Sequence, residues 1–251
     1  MNPMDLTGRR YLVTGASSGI GRETAILLSE LGAEVTVSGR NLDRLQQTLG
    51  ELSGAGHQVA AFDLAALDEI PGWMKGLAVD RPFDGLVHSA GLHAMTPARS
   101  ISAAKIDALM RTNFSAAAML ARGFSQKSCR RDTGGSIVFL SSVVAQAGQP
   151  AVSLYSATKA ALTGLAKSLA VELARDLIRV NCVAPGIVKS EMSDQMRESL
   201  APEQFDAIER MHPLGLGSGR DVAHAIAFLL AATGRWITGT TLIVDGGYLA
   251  Q

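Results

Sequence analysis

Residues 11–21 of the chain read YLVTGASSGIG, a short apolar run followed by a turn that contains three glycines. The run has the length of a buried strand, and the residues from Ile20 to Leu31 show a helical pattern. Glycine is required in such a turn where a Cβ atom would block an approaching phosphate. A helix that begins near Gly19 also directs its free N–H groups toward that phosphate. The stretch therefore predicts a dinucleotide-binding strand–turn–helix unit, with a tight turn of packing glycines as the alternative.

Further apolar runs of the same kind alternate with helical patterns along the rest of the chain. They occupy residues 35–37, 59–62, 86–88, 137–140, 179–183 and 241–244. Apolar strands separated by helices are typical of a parallel sheet that is covered on both faces. We therefore predict a single α/β domain over residues 1–251, a doubly wound, Rossmann-like parallel sheet of about seven strands with helices on both faces. Ligands of this fold bind beyond the carboxyl ends of the strands.

Composition and charge exclude several classes of protein. Hydrophobic residues make up 47% of the chain, which is too many for a disordered protein. The 23 basic residues balance the 23 acidic ones, so we expect no nucleic-acid partner and no membrane binding. Cys129 and Cys182 lie far apart and predict neither a disulfide nor a metal site. Because the sequence shows no signal core and no run of membrane-spanning length, we expect a cytoplasmic location.

Four polar residues mark a candidate catalytic group. Tyr155 and Lys159 are four residues apart, so they fall on one face of a helix. Ser142 follows a strongly apolar run and should lie at the carboxyl edge of the sheet. Asn113 interrupts a helical pattern, where asparagine is a poor choice. Each of the four also has an ordinary structural interpretation: a helix surface, a strand-end hydroxyl or a helix kink.

Over nearly its full length, the chain resembles the short-chain dehydrogenase/reductase family. Residues 14–21 match the T-G-x-x-x-G-x-G turn of that family, and Tyr155 and Lys159 match its Y-x-x-x-K motif. The resemblance implies NAD(P)-dependent hydride transfer between a nicotinamide and a carbonyl or secondary alcohol carbon. It also implies roles for the four residues. Tyr155 would be the general acid/base, and Lys159 with the positive nicotinamide ring would lower its pKa. Ser142 would hold the substrate oxygen, and Asn113 would anchor a water molecule.

The same resemblance implies cofactor contacts from the ends of several strands, in addition to Tyr155 and Lys159. They are Gly15, Ser17, Ser18, Gly19, Ile20, Gly21, Arg40, Asp63, Leu64, Ser89, Ala90, Gly91, Pro185, Gly186, Val188 and Ser190. Two departures from the family pattern stand out. His88 and Ser89 replace the two asparagines of the N-N-A-G segment, and Ser190 stands where the family usually has threonine.

The residues after the second apolar run bear on the choice between NADP and NAD. An acidic residue there would bind the ribose 2′-hydroxyl of NAD and repel a 2′-phosphate. The chain instead has Gly39 followed by Arg40, whose guanidinium can bind a phosphate. We therefore favour NADP(H) over NAD(H), with Arg40 as a solvated surface charge as the alternative.

The segment from about 190 to 218 predicts a helical lid over the substrate. Side chains that could line the substrate pocket are Met192, Met196, Met211, His212, His93, Met95 and those of residues 144–152. The identities of these side chains do not select one substrate. We expect a small carbonyl or alcohol compound, such as a ketone, a sugar or a steroid-like alcohol.

Within the family, the resemblance is greatest to bacterial 3-oxoacyl-acyl-carrier-protein reductases, so acyl-carrier protein stays open as a partner. Lys127, Arg130 and Arg131 could bind that acidic protein, or could form a solvated loop. A catalytically silent cofactor-binding scaffold is a second alternative, although such a chain would typically have lost Tyr155 or Lys159. The resemblance also implies a homotetramer, with a dimer as the alternative.

Overall fold

The computed structural model describes residues 2–251. Seven strands form one sheet in the order β3-β2-β1-β4-β5-β6-β9, and every neighbouring pair is parallel. This confirms the predicted doubly wound sheet. The strands are β1 (Arg10–Thr14), β2 (Glu34–Gly39), β3 (Gln58–Ala61), β4 (Gly85–His88), β5 (Gly135–Leu140), β6 (Ile178–Pro185) and β9 (Thr241–Val244). A separate short pair joins β7 (Val188–Lys189) to β8 (Gly217–Ser218).

Helices cover both faces of the sheet. They are α1 (Gly19–Glu30), α2 (Leu42–Gly50), α3 (Ile70–Leu77), α4 (Ala103–Met110), α5 (Ala116–Ser125), α6 (Ser153–Glu172), α7 (Glu191–Ser199), α8 (Pro202–Arg210) and α9 (Gly219–Leu230). Helices α1, α2 and α9 pack on one face, and α3, α5 and α6 pack on the other. None of the helices within residues 2–251 is long and apolar enough to cross a membrane.

Successive strand residues enter two different cores. In β1, Leu12 packs with the α3, α5 and α6 side, while Val13 packs with the α1 and α9 side. In β5, Ile137 and Val138 divide in the same way. Because both faces are covered, both sets of side chains are buried, and this accounts for the continuous apolar runs in the sequence.

The strand order reverses at β1, which pairs with β2 on one side and β4 on the other. The helices that follow β1 and β4 therefore lie on opposite faces of the sheet. They leave a crevice beyond the carboxyl ends of these two strands. The segments after β1, β4, β5 and β6 carry nearly all of the predicted site residues to this one edge of the sheet.

The helical stretch around Asn113 is not a regular α-helix. Residues Arg111–Ser115 form a π-helical turn between α4 and α5. Such turns are rare and are frequent at functional sites. The interruption explains how an asparagine is accommodated in an otherwise helical segment.

Candidate active site

A cleft of about 920 Å³ opens at the switch point of the sheet. Its volume lies near the upper end of the range typical for small-molecule and cofactor sites. Of the predicted site residues, all line this cleft except Gly21 and Asn113. A smaller cavity of about 330 Å³ lies beside it, and Tyr248 contributes to both.

The glycine turn fits closely against the segment that follows β4. Gly15 has a φ angle of +70°, and a Cβ atom on it would lie 2.5 Å from the backbone nitrogen of Ala90. A side chain here would therefore force the two segments apart. Gly19 has a φ angle of +51° and begins α1, whose N-cap residue Ser18 makes no side-chain capping hydrogen bond. The first N–H groups of α1 thus stay available to an anion in the cleft.

Gly21, which was expected to contact the cofactor, does not line the cleft. A Cβ atom on Gly21 would lie 2.2 Å from the carbonyl oxygen of Gly15, so this glycine lets α1 pack against its own turn. It lies beneath the cleft rather than on its wall. The other glycines, with the free helix terminus, form a cradle that fits a dinucleotide pyrophosphate.

The segments after β2 and β3 form the end of the cleft that is predicted to bind the adenosine, called here the adenosine end. Arg40 is exposed there and makes no ion pair with any residue in the described range 2–251. Arg44, four residues along, forms an ion pair with Glu191 at the start of α7. Asp63 lines the cleft and also accepts a hydrogen bond from the N–H of Ala65 at 3.0 Å. It is therefore both a turn cap and a candidate adenine contact.

The segment after β4 carries His88 below the cleft and Ser89, Ala90 and Gly91 along its wall. His88 is buried, and its Nδ1 lies 2.9 Å from Thr14 Oγ1. Burial, together with the positive charge of Lys159, lowers the pKa of His88 to about 3. This histidine is therefore neutral at physiological pH and joins the ends of two neighbouring strands.

Ser142, Tyr155 and Lys159 come together at the centre of the cleft. Ser142 follows β5, and it lines the cleft together with Tyr155. Lys159, one helical turn after Tyr155 on α6, places Nζ 5.6 Å from the centre of the phenol ring. Its Nζ also donates a 2.7 Å hydrogen bond to the carbonyl of Leu140. The three side chains therefore line one cleft, as predicted from the spacing of Tyr155 and Lys159 and from the place of Ser142 after a strand.

The pKa values of this group differ from the expectation drawn from the family. Burial raises the pKa of the Tyr155 phenol to about 12, and the nearby Ser142 hydroxyl acts in the opposite direction. Burial also lowers the pKa of Lys159 to about 8. Desolvation disfavours the charged form of each group, so burial raises the pKa of the phenol and lowers that of the amine.

Asn113 does not reach the cleft. Its side chain is fully buried, with Oδ1 accepting from the N–H of Leu92 at 2.7 Å and Nδ2 donating to the carbonyl of Leu92 at 2.9 Å. Nδ2 also donates to Thr158 Oγ1 at 3.0 Å. The amide thus clamps the segment after β4 to α6, next to Lys159. The water-anchoring role implied by the resemblance stays a prediction.

The segment predicted as a lid consists of α7 and α8, and the β7–β8 pair joins its two ends. Ser190 lines the cleft and caps α7, because its Oγ accepts from the N–H of Ser193 at 3.3 Å. Met192 and Met196 line the cleft, whereas Met211 lines the smaller cavity.

His212 has a structural role at the base of this segment. Its Nδ1 donates to the carbonyl of Ile208 at 3.0 Å, and its Nε2 accepts from the N–H of Ile187 at 3.1 Å. These two bonds tie α8 to the segment after β6.

The basic group before β5 lies away from the cleft. Arg130 is buried and pairs with Asp176 at 2.9 Å, and Arg131 pairs with Asp84 at 3.1 Å. Both precede β5, at the amino edge of the sheet, whereas the cleft opens at the carboxyl edge. The expectation that this group could bind acyl-carrier protein at the entrance is therefore not supported, and the solvated-loop alternative is also wrong for Arg130.

Several cleft residues were missed by the sequence analysis. Phe62, Arg44 and Glu191 line the adenosine end, and Tyr248 lines the substrate end, where its hydroxyl accepts a 2.6 Å hydrogen bond from Gln149 Nε2. No local motif could have indicated Tyr248, because its partner Gln149 is 99 residues away in the sequence.

Comparisons with known proteins find matches over nearly the whole chain. The family model described as Enoyl-(Acyl carrier protein) reductase matches residues 15–249. The chain is 38% identical over 247 residues to the 3-oxoacyl-[acyl-carrier-protein] reductase FabG of Rickettsia prowazekii, covering 98% of this chain and 99% of the relative.

Solved structures of other proteins also resemble this chain over nearly its full length. A candidate NAD(P)-dependent gluconate 5-dehydrogenase of Beutenbergia cavernae, solved with NADP bound at low occupancy, is 33% identical with a TM-score of 0.92 over 100% of both chains. A short-chain type dehydrogenase/reductase of Mycobacterium ulcerans is 28% identical with a TM-score of 0.90, covering 98% of this chain and 92% of that one. With the glycine turn and the Ser142–Tyr155–Lys159 group in one cleft, the chain belongs to the short-chain dehydrogenase/reductase family of NAD(P)-dependent oxidoreductases.

Proposed function

We propose that the chain transfers a hydride between NADP(H) and a carbonyl or secondary alcohol carbon, with Tyr155 as the general acid/base. The observation that supports this most strongly is the meeting of Ser142, Tyr155 and Lys159 in the cleft that begins at the glycine turn. A nicotinamide bound there would supply or accept the hydride. The chain itself would supply the proton and hold the substrate oxygen.

The three polar groups have distinct tasks in this proposal. In reduction, the phenol of Tyr155 donates its proton to the oxygen that becomes negative as the carbonyl is reduced. The Ser142 hydroxyl, which lines the cleft with the phenol, holds the same oxygen in place. Lys159, held by the carbonyl of Leu140, stabilises the phenolate that forms. Asn113 is a positioning residue, because it holds Leu92 and Thr158 on either side of this group.

The raised pKa of Tyr155 fits the role of a proton donor. With a pKa of about 12, the phenol is protonated at neutral pH and ready for reduction. Loss of that proton then depends on the positive charge of Lys159. The lowered pKa of the lysine, about 8, means that this charge is present at neutral pH and is lost in mildly alkaline solution.

Ketone reduction should therefore weaken as the pH rises through about 8, because Lys159 loses its proton there. We expect kcat to fall by up to about tenfold per pH unit above this point. The measurement is a pH profile of NADPH oxidation at saturating ketone. Lys159→Met should be much slower and flat over the same range. A wild-type rate that rises through this range, or a variant with an unchanged profile, would contradict the role of Lys159.

We also propose NADP(H) rather than NAD(H) as the cofactor, held by the predicted contact residues other than Gly21. Arg40 supports this choice, since it is an exposed cation at the adenosine end with no ion pair among residues 2–251. Arg44 is engaged by Glu191, so Arg40 is the cation better placed to bind a 2′-phosphate. The B. cavernae relative was solved with NADP, which is consistent with this preference.

Arg40→Glu should reverse the preference between the two cofactors. Loss of a charge-assisted contact of about 1.5–3 kcal/mol should weaken NADP binding roughly 10- to 100-fold. The measurement is the thermal shift with each cofactor, since a ligand at 100 times its Kd stabilises by about 2.7 kcal/mol. Arg235→Glu, at an exposed arginine outside the cleft, is the matched control. A wild-type shift that is as large with NAD as with NADP would refute the preference.

Two alternatives for function have less support. A 3-oxoacyl-acyl-carrier-protein reductase is favoured by the name of the R. prowazekii relative, but the basic group offered for the carrier protein lies at the wrong edge of the sheet. A catalytically silent scaffold would not need Ser142, Tyr155 and Lys159 in one cleft.

Assembly, location and the lid stay predictions. A homotetramer, or else a dimer, agrees with exposed apolar side chains such as Val171 and Trp236. A closing movement of α7 and α8 over the substrate agrees with the place of Met192 and Met196 on the cleft wall.

A further inference from the structure

The imidazole of His93 lies directly beside the proposed general acid. Its ring packs edge-on against that of Tyr155, with 4.8 Å between the ring centres and 74° between the planes. His93 is partly buried and lines the cleft. The catalytic role proposed for Ser142, Tyr155 and Lys159 does not use this imidazole. It therefore adds a hydrogen-bonding group next to the reacting position.

The backbone before His93 is held in a fixed position. Both polar groups of Leu92 are bonded to the buried amide of Asn113, at 2.7 and 2.9 Å. The residue that carries the imidazole thus directly follows a residue whose backbone is held in place. Burial and the charge of Lys159 lower the pKa of His93, which keeps the ring neutral and able to donate or accept one hydrogen bond.

A second polar group lines the same cleft. Gln149 uses its Nε2 to donate a 2.6 Å hydrogen bond to the hydroxyl of Tyr248. That bond orients the amide and leaves its Oε1 as an acceptor. The substrate end therefore offers His93 and Gln149 in addition to the groups proposed for catalysis.

Apart from Lys159, the charged side chains of the described cleft wall lie away from Tyr155. Among the described cleft residues, Arg40, Arg44, Asp63 and Glu191 are at the adenosine end, and Lys159 is bonded to the Leu140 carbonyl. A carboxylate carried by the substrate would find no further cation on the described cleft wall. Neutral polar groups, in contrast, would find partners close to Tyr155.

Resting on the proposed oxidoreductase function, we propose that the substrate is uncharged and carries a hydroxyl on the carbon next to the reacting carbon. His93 hydrogen-bonds that neighbouring hydroxyl and is the residue that sets this specificity. A vicinal diol in the oxidation direction, or an α-hydroxy ketone in reduction, has this arrangement. A 3-oxoacyl thioester does not, so the inference also separates the proposed function from its carrier-protein alternative.

The test compares three alcohols with NADP as the oxidant: cyclohexanol, 1,2-cyclohexanediol and 2-hydroxycyclohexanecarboxylate. For the wild-type protein, we expect kcat/KM to be at least about tenfold higher for the diol than for cyclohexanol, and lowest for the carboxylate. His93→Phe keeps an aromatic ring against Tyr155 and should bring the diol-to-cyclohexanol ratio close to one. His93→Gln restores a hydrogen-bonding group and should retain most of the ratio. His224→Phe, at an exposed histidine on α9, is the control and should leave the ratio unchanged.

The possible contrary results distinguish a failure of this inference from a failure of the proposed oxidoreductase function. Equal turnover of diol and cyclohexanol, preference for the carboxylate, or an unchanged ratio in His93→Phe overturns the inference, while turnover itself still supports the oxidoreductase. Absence of turnover with all three alcohols also overturns it, provided that NADPH fluorescence shows cofactor binding. Failure to bind NADPH in that fluorescence measurement would instead overturn the proposed function.

Discussion

Tyr155→Phe should lower kcat for ketone reduction by at least about 100-fold, because positioned proton transfer contributes roughly 10²–10⁴ in rate. The variant keeps the ring that packs against His93 and loses only the phenolic hydroxyl. We therefore expect a folded protein that binds NADPH with little change in Kd. The measurements are steady-state NADPH oxidation and a fluorescence titration of NADPH.

Tyr11→Phe provides the matched control for this substitution. Tyr11 is buried in β1, packs in the core on the α1 and α9 side, and lies outside the cleft. Its loss of a hydroxyl should leave NADPH oxidation nearly unchanged. Substantial turnover in Tyr155→Phe, or an equal loss in Tyr11→Phe, would remove Tyr155 as the general acid.

Asn113→Ala should cause the largest loss of stability among single changes near the site. It removes three side-chain hydrogen bonds and leaves the backbone groups of Leu92 without their partners. At about 1–3 kcal/mol for each unsatisfied buried group, the loss should reach about 3 kcal/mol, or roughly 6–12 °C in Tm. Turnover should also fall, because the segment that holds Gly91 and His93 is no longer clamped.

The control for this prediction lies on the preceding helix. Asp107→Ala changes an exposed residue of α4 and should shift Tm by no more than about 2 °C. Thermal unfolding followed by circular dichroism measures both variants. An unchanged Tm for Asn113→Ala would show that the clamp on Leu92 contributes little, and its positioning role would be wrong.

The sequence was most informative where function depends on local spacing. The alternation of apolar runs with helical patterns predicted the parallel sheet, and the glycine turn predicted where its crevice lies. Tyr155 and Lys159 share a helix face because they are four residues apart, so their meeting needed no knowledge of the rest of the fold.

Features that depend on distant contacts could not be predicted in this way. Asn113 binds Leu92, 21 residues earlier, and Arg44 binds Glu191, 147 residues later. The pKa of Tyr155 was expected to fall because of Lys159 and a bound nicotinamide, whereas the burial of the phenol by the folded chain raises it. Arg130 looked like a surface charge in the sequence, yet it is buried and paired with Asp176. Burial and pairing at these positions are set by tertiary packing, which local patterns do not encode.

In the proposed mechanism, Tyr155 and Lys159 face a nicotinamide that exchanges a hydride with the substrate carbon. Isotope transfer can be followed with NADPH deuterated at both positions of nicotinamide C4 and with 2-hydroxycyclohexanone as the substrate. We expect 1,2-cyclohexanediol that carries a single deuterium on the newly reduced carbon, formed by the wild-type protein and far more slowly by Tyr155→Phe. Diol without deuterium on that carbon, or labelled diol formed equally fast by Tyr155→Phe, would contradict it.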